Sequence, residues 1–83
     1  MRLLYFAWVR ERIGTGEEDV AVPDDVTSVA TLIDFLATLS PGHAAAFADR
    51  DRLRAAIDQD FVALDASIAG AREVAIFPPV TGG

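Results

Sequence analysis

The chain contains no cysteine, no lysine and a single histidine. Without cysteine it can form no disulfide framework, no thiolate zinc site, no nucleophilic thiol and no persulfide. Without lysine a phosphate-binding P-loop is impossible, and Gly14-Thr15-Gly16 lacks the third glycine of a dinucleotide fingerprint. His43 has no second His or Cys to join it in a metal site, and it reads as a surface residue beside a Pro-Gly turn. No spacing of Ser, His and Asp suggests a triad. Long hydrophobic runs are also missing. Leu3 to Val9 is short for a signal peptide, and Arg10-Glu11-Arg12 follows where a small-residue cleavage site would lie. No stretch approaches membrane-spanning length, so a cytoplasmic location is expected.

What is there is a single small domain. Its 83 residues are 52% hydrophobic and 24% charged, which suits one packed core and excludes a second. Seven arginines stand against thirteen acidic residues, for a net charge of −6. Such a surface repels phosphate backbones and anionic lipid, and it suits a basic protein partner as well as it suits solubility alone. Asp49-Arg50-Asp51-Arg52, with Arg54, offers an anion site in principle, but a solvated, self-neutralising run is the stronger reading. Glu17-Glu18-Asp19 and Asp24-Asp25 read as solvated turns.

Periodicity outlines the elements. Leu3 to Ala7 reads as a first strand, Trp8 to Ile13 as about one helical turn, and Asp19 to Val22 as a second strand. Val29, Leu32, Ile33, Leu36 and Leu39 recur at helical spacing behind Ser28 as N-cap, with Ser40-Pro41-Gly42 as the stop. The spacing predicts a main helix from Val29 to Leu39, with a short second helix from His43 to Ala48. Leu53 to Ile57, Phe61 to Leu64 and Glu73 to Phe77 read as three further strands, turning at Asp58-Gln59-Asp60 and at Ala69-Gly70-Ala71. The expected architecture is an α+β roll: a mixed sheet packed on one main helix over residues 1–77, then a tail over 78–83.

That tail carries the chemistry. Pro78-Pro79 has no N–H to continue a ladder and fixes an extended direction. The six residues after Phe77 reach roughly 20 Å, enough to enter a neighbouring protein's cleft. Through Val80 and Thr81 they lead to Gly82 and Gly83, whose bare backbone can pass a channel that any Cβ would block. A terminal carboxylate is ionised at neutral pH and is a poor electrophile until activated, most simply as an acyl-adenylate. With little apolar surface to dock, the tip is expected to order only on a partner.

Phe77-Pro78-Pro79-Val80-Thr81-Gly82-Gly83, preceded by Glu73-Val74-Ala75, resembles the C-terminus of the small subunit of molybdopterin synthase, a ubiquitin-like sulfur carrier of the β-grasp fold. Phe6-Ala7-Trp8-Val9-Arg10-Glu11 with Gly14-Thr15 is similar to that family's opening, and Ala55-Ala56-Ile57-Asp58-Gln59 to its middle strand. The resemblance implies that an ATP-dependent activating enzyme adenylates the Gly83 carboxylate and that a sulfur donor converts it to a thiocarboxylate. The tail then enters the large subunit, where the catalytic groups lie, and its sulfur passes to cyclic pyranopterin monophosphate. No cofactor or metal bound by this chain is implied; ATP belongs to the activating enzyme, and the family assembles as a heterotetramer. The chain departs from the family at Ala69-Gly70-Ala71-Arg72, where an Asp-Gly-Asp-like turn is common, and at Asp58, where Asn is common.

Within the class, a thiamine-type sulfur carrier or a ubiquitin-like protein modifier shares the diglycine but usually lacks Phe-Pro-Pro before it. Outside it stands a passive β-grasp interaction domain. On strand one, Leu3 and Tyr5 share one face and Leu4 and Phe6 the other, and the helix can cover only one of them. The uncovered face is expected to present Phe6, Phe61 and Phe77 as a partner-binding patch at the root of the tail.

Overall fold

Leu3 and Tyr5 are buried in strand β1 (Arg2–Tyr5), while Arg2 is exposed and Leu4 is half-buried. This period-two pattern is that of a sheet with its core on one face. The computed structural model describes residues 1–79; Val80, Thr81, Gly82 and Gly83, on which the expectations for the tail's tip fall, lie outside the described residues. After β1 come α1 (Ala7–Ile13), β2 (Glu17–Asp19), α2 (Val29–Leu36), α3 (Pro41–Ala46), a 3₁₀ turn (Arg50–Arg52), β3 (Arg54–Ile57), β4 (Asp60–Val62) and β5 (Glu73–Phe77). The sheet order is β2-β1-β5-β3-β4. β1 and β5 run parallel, and every other pairing is antiparallel.

The main helix forms for local reasons. Ser28 Oγ accepts the Thr31 N–H at 3.1 Å, and Thr31 Oγ1 accepts the Ser28 N–H at 3.0 Å, a reciprocal capping box. Val29, Leu32, Ile33 and Leu36 then bury one stripe of α2 in a core shared with Leu3, Tyr5, Leu53, Val74 and Ile76. Each such side chain contributes about 1.5–3 kcal/mol of burial. The α+β reading with one main helix on a mixed sheet therefore holds.

Boundaries shift where the chain found better caps. α2 ends at Leu36 rather than Leu39, its last turn tightening through Thr38 N–H to Phe35 O and Leu39 N–H to Leu36 O, both 3.0 Å. Ser40-Pro41 does not only stop α2: Ser40 caps α3 and Pro41 occupies its first turn, where a missing N–H costs nothing. β1 closes at Tyr5, because Ala7 takes φ +51° and opens α1. The second strand is Glu17–Asp19, not Asp19 to Val22; its register is Leu3 opposite Glu18 and Leu4 opposite Glu17. Glu17-Glu18-Asp19 is thus no turn. β3 and β4 form a tight hairpin in which Asp58 and Gln59 both have positive φ, +48° and +75°, as a type I′ turn requires.

Candidate functional site

Parallel pairing of β1 with β5 puts their C-terminal ends side by side, Tyr5 opposite Ile76. The segments leaving the two strands therefore meet at one edge of the molecule: Phe6 and α1 from the first, Phe77, Pro78 and Pro79 from the second. β5 is a central strand with Val74, Ala75 and Ile76 buried, and Phe77, Pro78 and Pro79 are each half-buried. The root of the tail thus stands on the most firmly held strand of the sheet.

The outer face carries an apolar patch. Alanines form its floor, since Ala56 pairs with both Phe61 and Ala75, and Ala75 pairs with Leu4. Three phenylalanines rise around it. Phe6 and Phe61 are 50% and 82% exposed, and the Phe77 ring lies between them, 6.5 Å from Phe6 and 5.7 Å from Phe61 by ring centroids. The three residues expected on the uncovered face are brought together there. Phe77 pairs in register with Arg54, whose Nη1 donates to Leu53 O at 2.8 Å and Asp51 O at 3.2 Å.

A second groove, lined by Trp8, Arg52, Pro78 and Pro79, flanks the other side of the root. The Arg12 guanidinium lies over the Trp8 ring at 4.5 Å. The charge run before β3 largely neutralises itself and its neighbours: Arg50 pairs with Asp34 at 2.6 Å, Arg52 lies 3.8 Å from Asp49, and Asp49 caps the Asp51 N–H. Trp8 had no signal of its own in the sequence, because one aromatic at the start of about one predicted helical turn does not reveal which face meets Pro78 and Pro79.

His43 corrects the reading of a surface residue. It is 7% exposed. Its Nε2 donates to Glu18 Oε2 at 2.6 Å, Ser40 Oγ lies 2.7 Å from Nδ1, and the Tyr5 hydroxyl donates to the same Glu18 oxygen at 2.7 Å. Leu3 opposite Glu18 turns this carboxylate toward the core side of the sheet, where imidazole and phenol satisfy it. Burial raises the Glu18 pKa, but the hydrogen bonds from His43 and Tyr5, with the His43 charge, outweigh it and hold the group below the usual carboxylate range. Burial first, then the bond to Glu18 and its charge, push the Tyr5 phenol well above its ordinary value. This cluster ties β2 to α3 on the core side of the sheet, opposite the face that carries the patch.

A mixed sheet around one main helix, with its central strand running out into a stalk beside an exposed aromatic patch, defines a ubiquitin-like β-grasp protein. Small archaeal modifier protein 1 of H. volcanii has a similar structure, with a TM-score of 0.70, 27% identity, and coverage of 96% of this chain and 97% of that one. The chain belongs to the ThiS family, which matches residues 3–83. It is 41% identical to the molybdopterin synthase sulfur carrier subunit of Escherichia coli K12 over 100% of this chain and 99% of that protein. The Haemophilus influenzae subunit of the same name is 32% identical, over 100% of this chain and 99% of that protein. No helix among the described residues is long and apolar enough to cross a membrane.

Proposed function

We propose that this chain is the sulfur-carrying small subunit of a molybdopterin synthase, working in molybdenum cofactor biosynthesis. The observation that carries the reading is end-to-end similarity to a sulfur carrier subunit, 41% identical, in a chain whose central strand leads straight into the Phe-Pro-Pro stalk and diglycine. A Gly83 carboxylate oxygen attacks the α-phosphorus of ATP in a cytoplasmic activating enzyme, and pyrophosphate leaves. Hydrosulfide released by a sulfur donor then attacks the acyl carbon, AMP departs with the bridging oxygen, the S–H proton is lost to solvent, and a thiocarboxylate remains. The tail enters the large subunit, which supplies the catalytic groups, and the sulfur passes to cyclic pyranopterin monophosphate. Delivery on a thin tether gives that sulfur a high effective concentration in an enclosed site. The Phe6, Phe61 and Phe77 patch seats the large subunit beside the point where the tail enters. This explains how a chain without cysteine carries sulfur.

The test is intact mass after co-expression with the activating enzyme, followed by transfer assays with the large subunit. A shift equal to oxygen replaced by sulfur at the C-terminus is expected. Deleting Gly83 draws the carboxylate back by about 3.5 Å, beyond what reacting groups tolerate, and is expected to abolish the shift. Gly82→Ala is expected to leave folding intact and to slow activation and transfer steeply, because its Cβ obstructs the channel. Normal transfer by the Gly83 deletion would overturn the reading. Isopeptide-linked conjugates in place of the mass shift would favour a protein modifier, the role for which the H. volcanii neighbour is named.

A further inference from the structure

We infer that Trp8 is a positioning residue: its indole, held by Arg12, is the platform that sets the direction in which Pro78-Pro79 leaves the sheet. The inference rests on the sulfur-carrier reading for its purpose and on the groove geometry for its substance. Prolines 78 and 79 have no N–H, so the ladder that fixes β5 cannot fix them. Yet both are half-buried, although they lie beyond the last strand, and the groove they line is completed by Trp8 and Arg52. Apolar packing against the indole is the means left to hold a proline stalk in one direction.

The platform is itself held in place. α1 packs against β5, and the Arg12 guanidinium covers the half-buried Trp8 ring at 4.5 Å, where the ring quadrupole attracts the cation. The junction before it is strained: Phe6 is extended at φ −131°, and Ala7 turns the chain at φ +51°, in the left-handed region. A residue with a Cβ adopts that region only at a steric cost, so the turn is held by its surroundings. Strand alternation leaves Phe6 on the outer face, beside Phe77, and the turn at Ala7 sends Trp8 to the groove beside Pro78 and Pro79. An aromatic thus stands on either side of the tail's root. Fixing one residue's backbone costs about 1–2 kcal/mol, so a root already aimed spares the partner a comparable ordering cost, a factor of about ten in binding.

Two measurements on the full chain test this. By NMR, the ring protons of Pro78 and Pro79 are expected upfield of ordinary proline positions, and Trp8→Ala should return them there. In ATP–pyrophosphate exchange with the activating enzyme, below the melting range of each variant, Trp8→Ala should raise KM for the carrier about tenfold and leave kcat nearly unchanged. Trp8→Phe should restore most of the loss, and Arg12→Gln should raise KM more modestly. A residue that served the fold alone would lower the melting temperature without this split. Proline resonances indifferent to Trp8→Ala, or an unchanged KM, would overturn the platform. If instead deletion of Gly83 left exchange unaffected, the sulfur-carrier reading would fall, and the proline resonances would still decide the platform.

Discussion

Gly42 sits where α3 crosses α1, and a Cβ built on it would meet the Arg12 carbonyl oxygen at 2.5 Å. That oxygen is backbone, so relief requires the two helices to part. Alanine would gain about 1 kcal/mol of helix propensity. Overpacking of a close crossing costs about 1–3 kcal/mol, however, and is expected to win. Gly42→Ala should therefore lower the unfolding free energy read from a urea titration, by a net of up to about 2 kcal/mol. Gln59 poses the opposite case. Its φ of +75° strains any L side chain and its side chain is exposed, so Gln59→Gly should stabilise by about 1 kcal/mol in the same titration. Its neighbour Asp58 shows why a family Asn can be replaced: Oδ1 accepts the Arg72 and Glu73 N–H groups, both at 3.0 Å, which a carboxylate does as well as an amide. At this scale the sequence misleads where a polar residue has a distant partner. Nothing local to His43 reveals that Glu18, 25 residues earlier, will meet it in the core.

Among the elements, α2 and β5 were legible and β2 was not. Val29, Leu32, Ile33 and Leu36 announce a helix through spacing, and Pro78 ends β5 at Phe77 by its chemistry. Glu17-Glu18-Asp19 gives no such signal, because its strand is specified by pairing with β1 and by a carboxylate satisfied across the sheet edge. That dependence has a pH signature. Glu18 is held below the ordinary carboxylate range when folded and returns to it, near about 4.3, when unfolded. Its contribution is fully present above the unfolded value and is lost as pH falls through the lower folded one. Glu18→Gln should consequently reduce stability near neutrality and flatten the acid limb of the stability curve below the ordinary carboxylate range. Amide exchange should show the β2 edge opening earliest as the acid limb is descended. A variant whose acid limb keeps the wild-type slope would mean that other carboxylates set it.

For the whole molecule, the question is what an acidic domain does with an exposed apolar face. The core is complete beneath α2, so Phe61, 82% exposed at the sheet edge, contributes little to the fold. Surface changes of this kind stay within about 0.5 kcal/mol. An aromatic cluster at the centre of an interface carries about 2 kcal/mol or more per anchor, roughly thirtyfold in affinity. Phe61→Ser is therefore expected to leave the melting temperature nearly unchanged while weakening association with the large subunit at least tenfold. The effect should lie mainly in the dissociation rate, since the patch acts by packing after contact is made. The net charge of −6 should act on the association rate instead, which is expected to fall with added salt if the partner's rim is basic. Titration calorimetry and stopped-flow mixing at two ionic strengths separate the two contributions. Phe61→Ser with unaltered affinity, in a chain still able to accept sulfur at its C-terminus, would move the partner's seat elsewhere and leave the carrier chemistry standing.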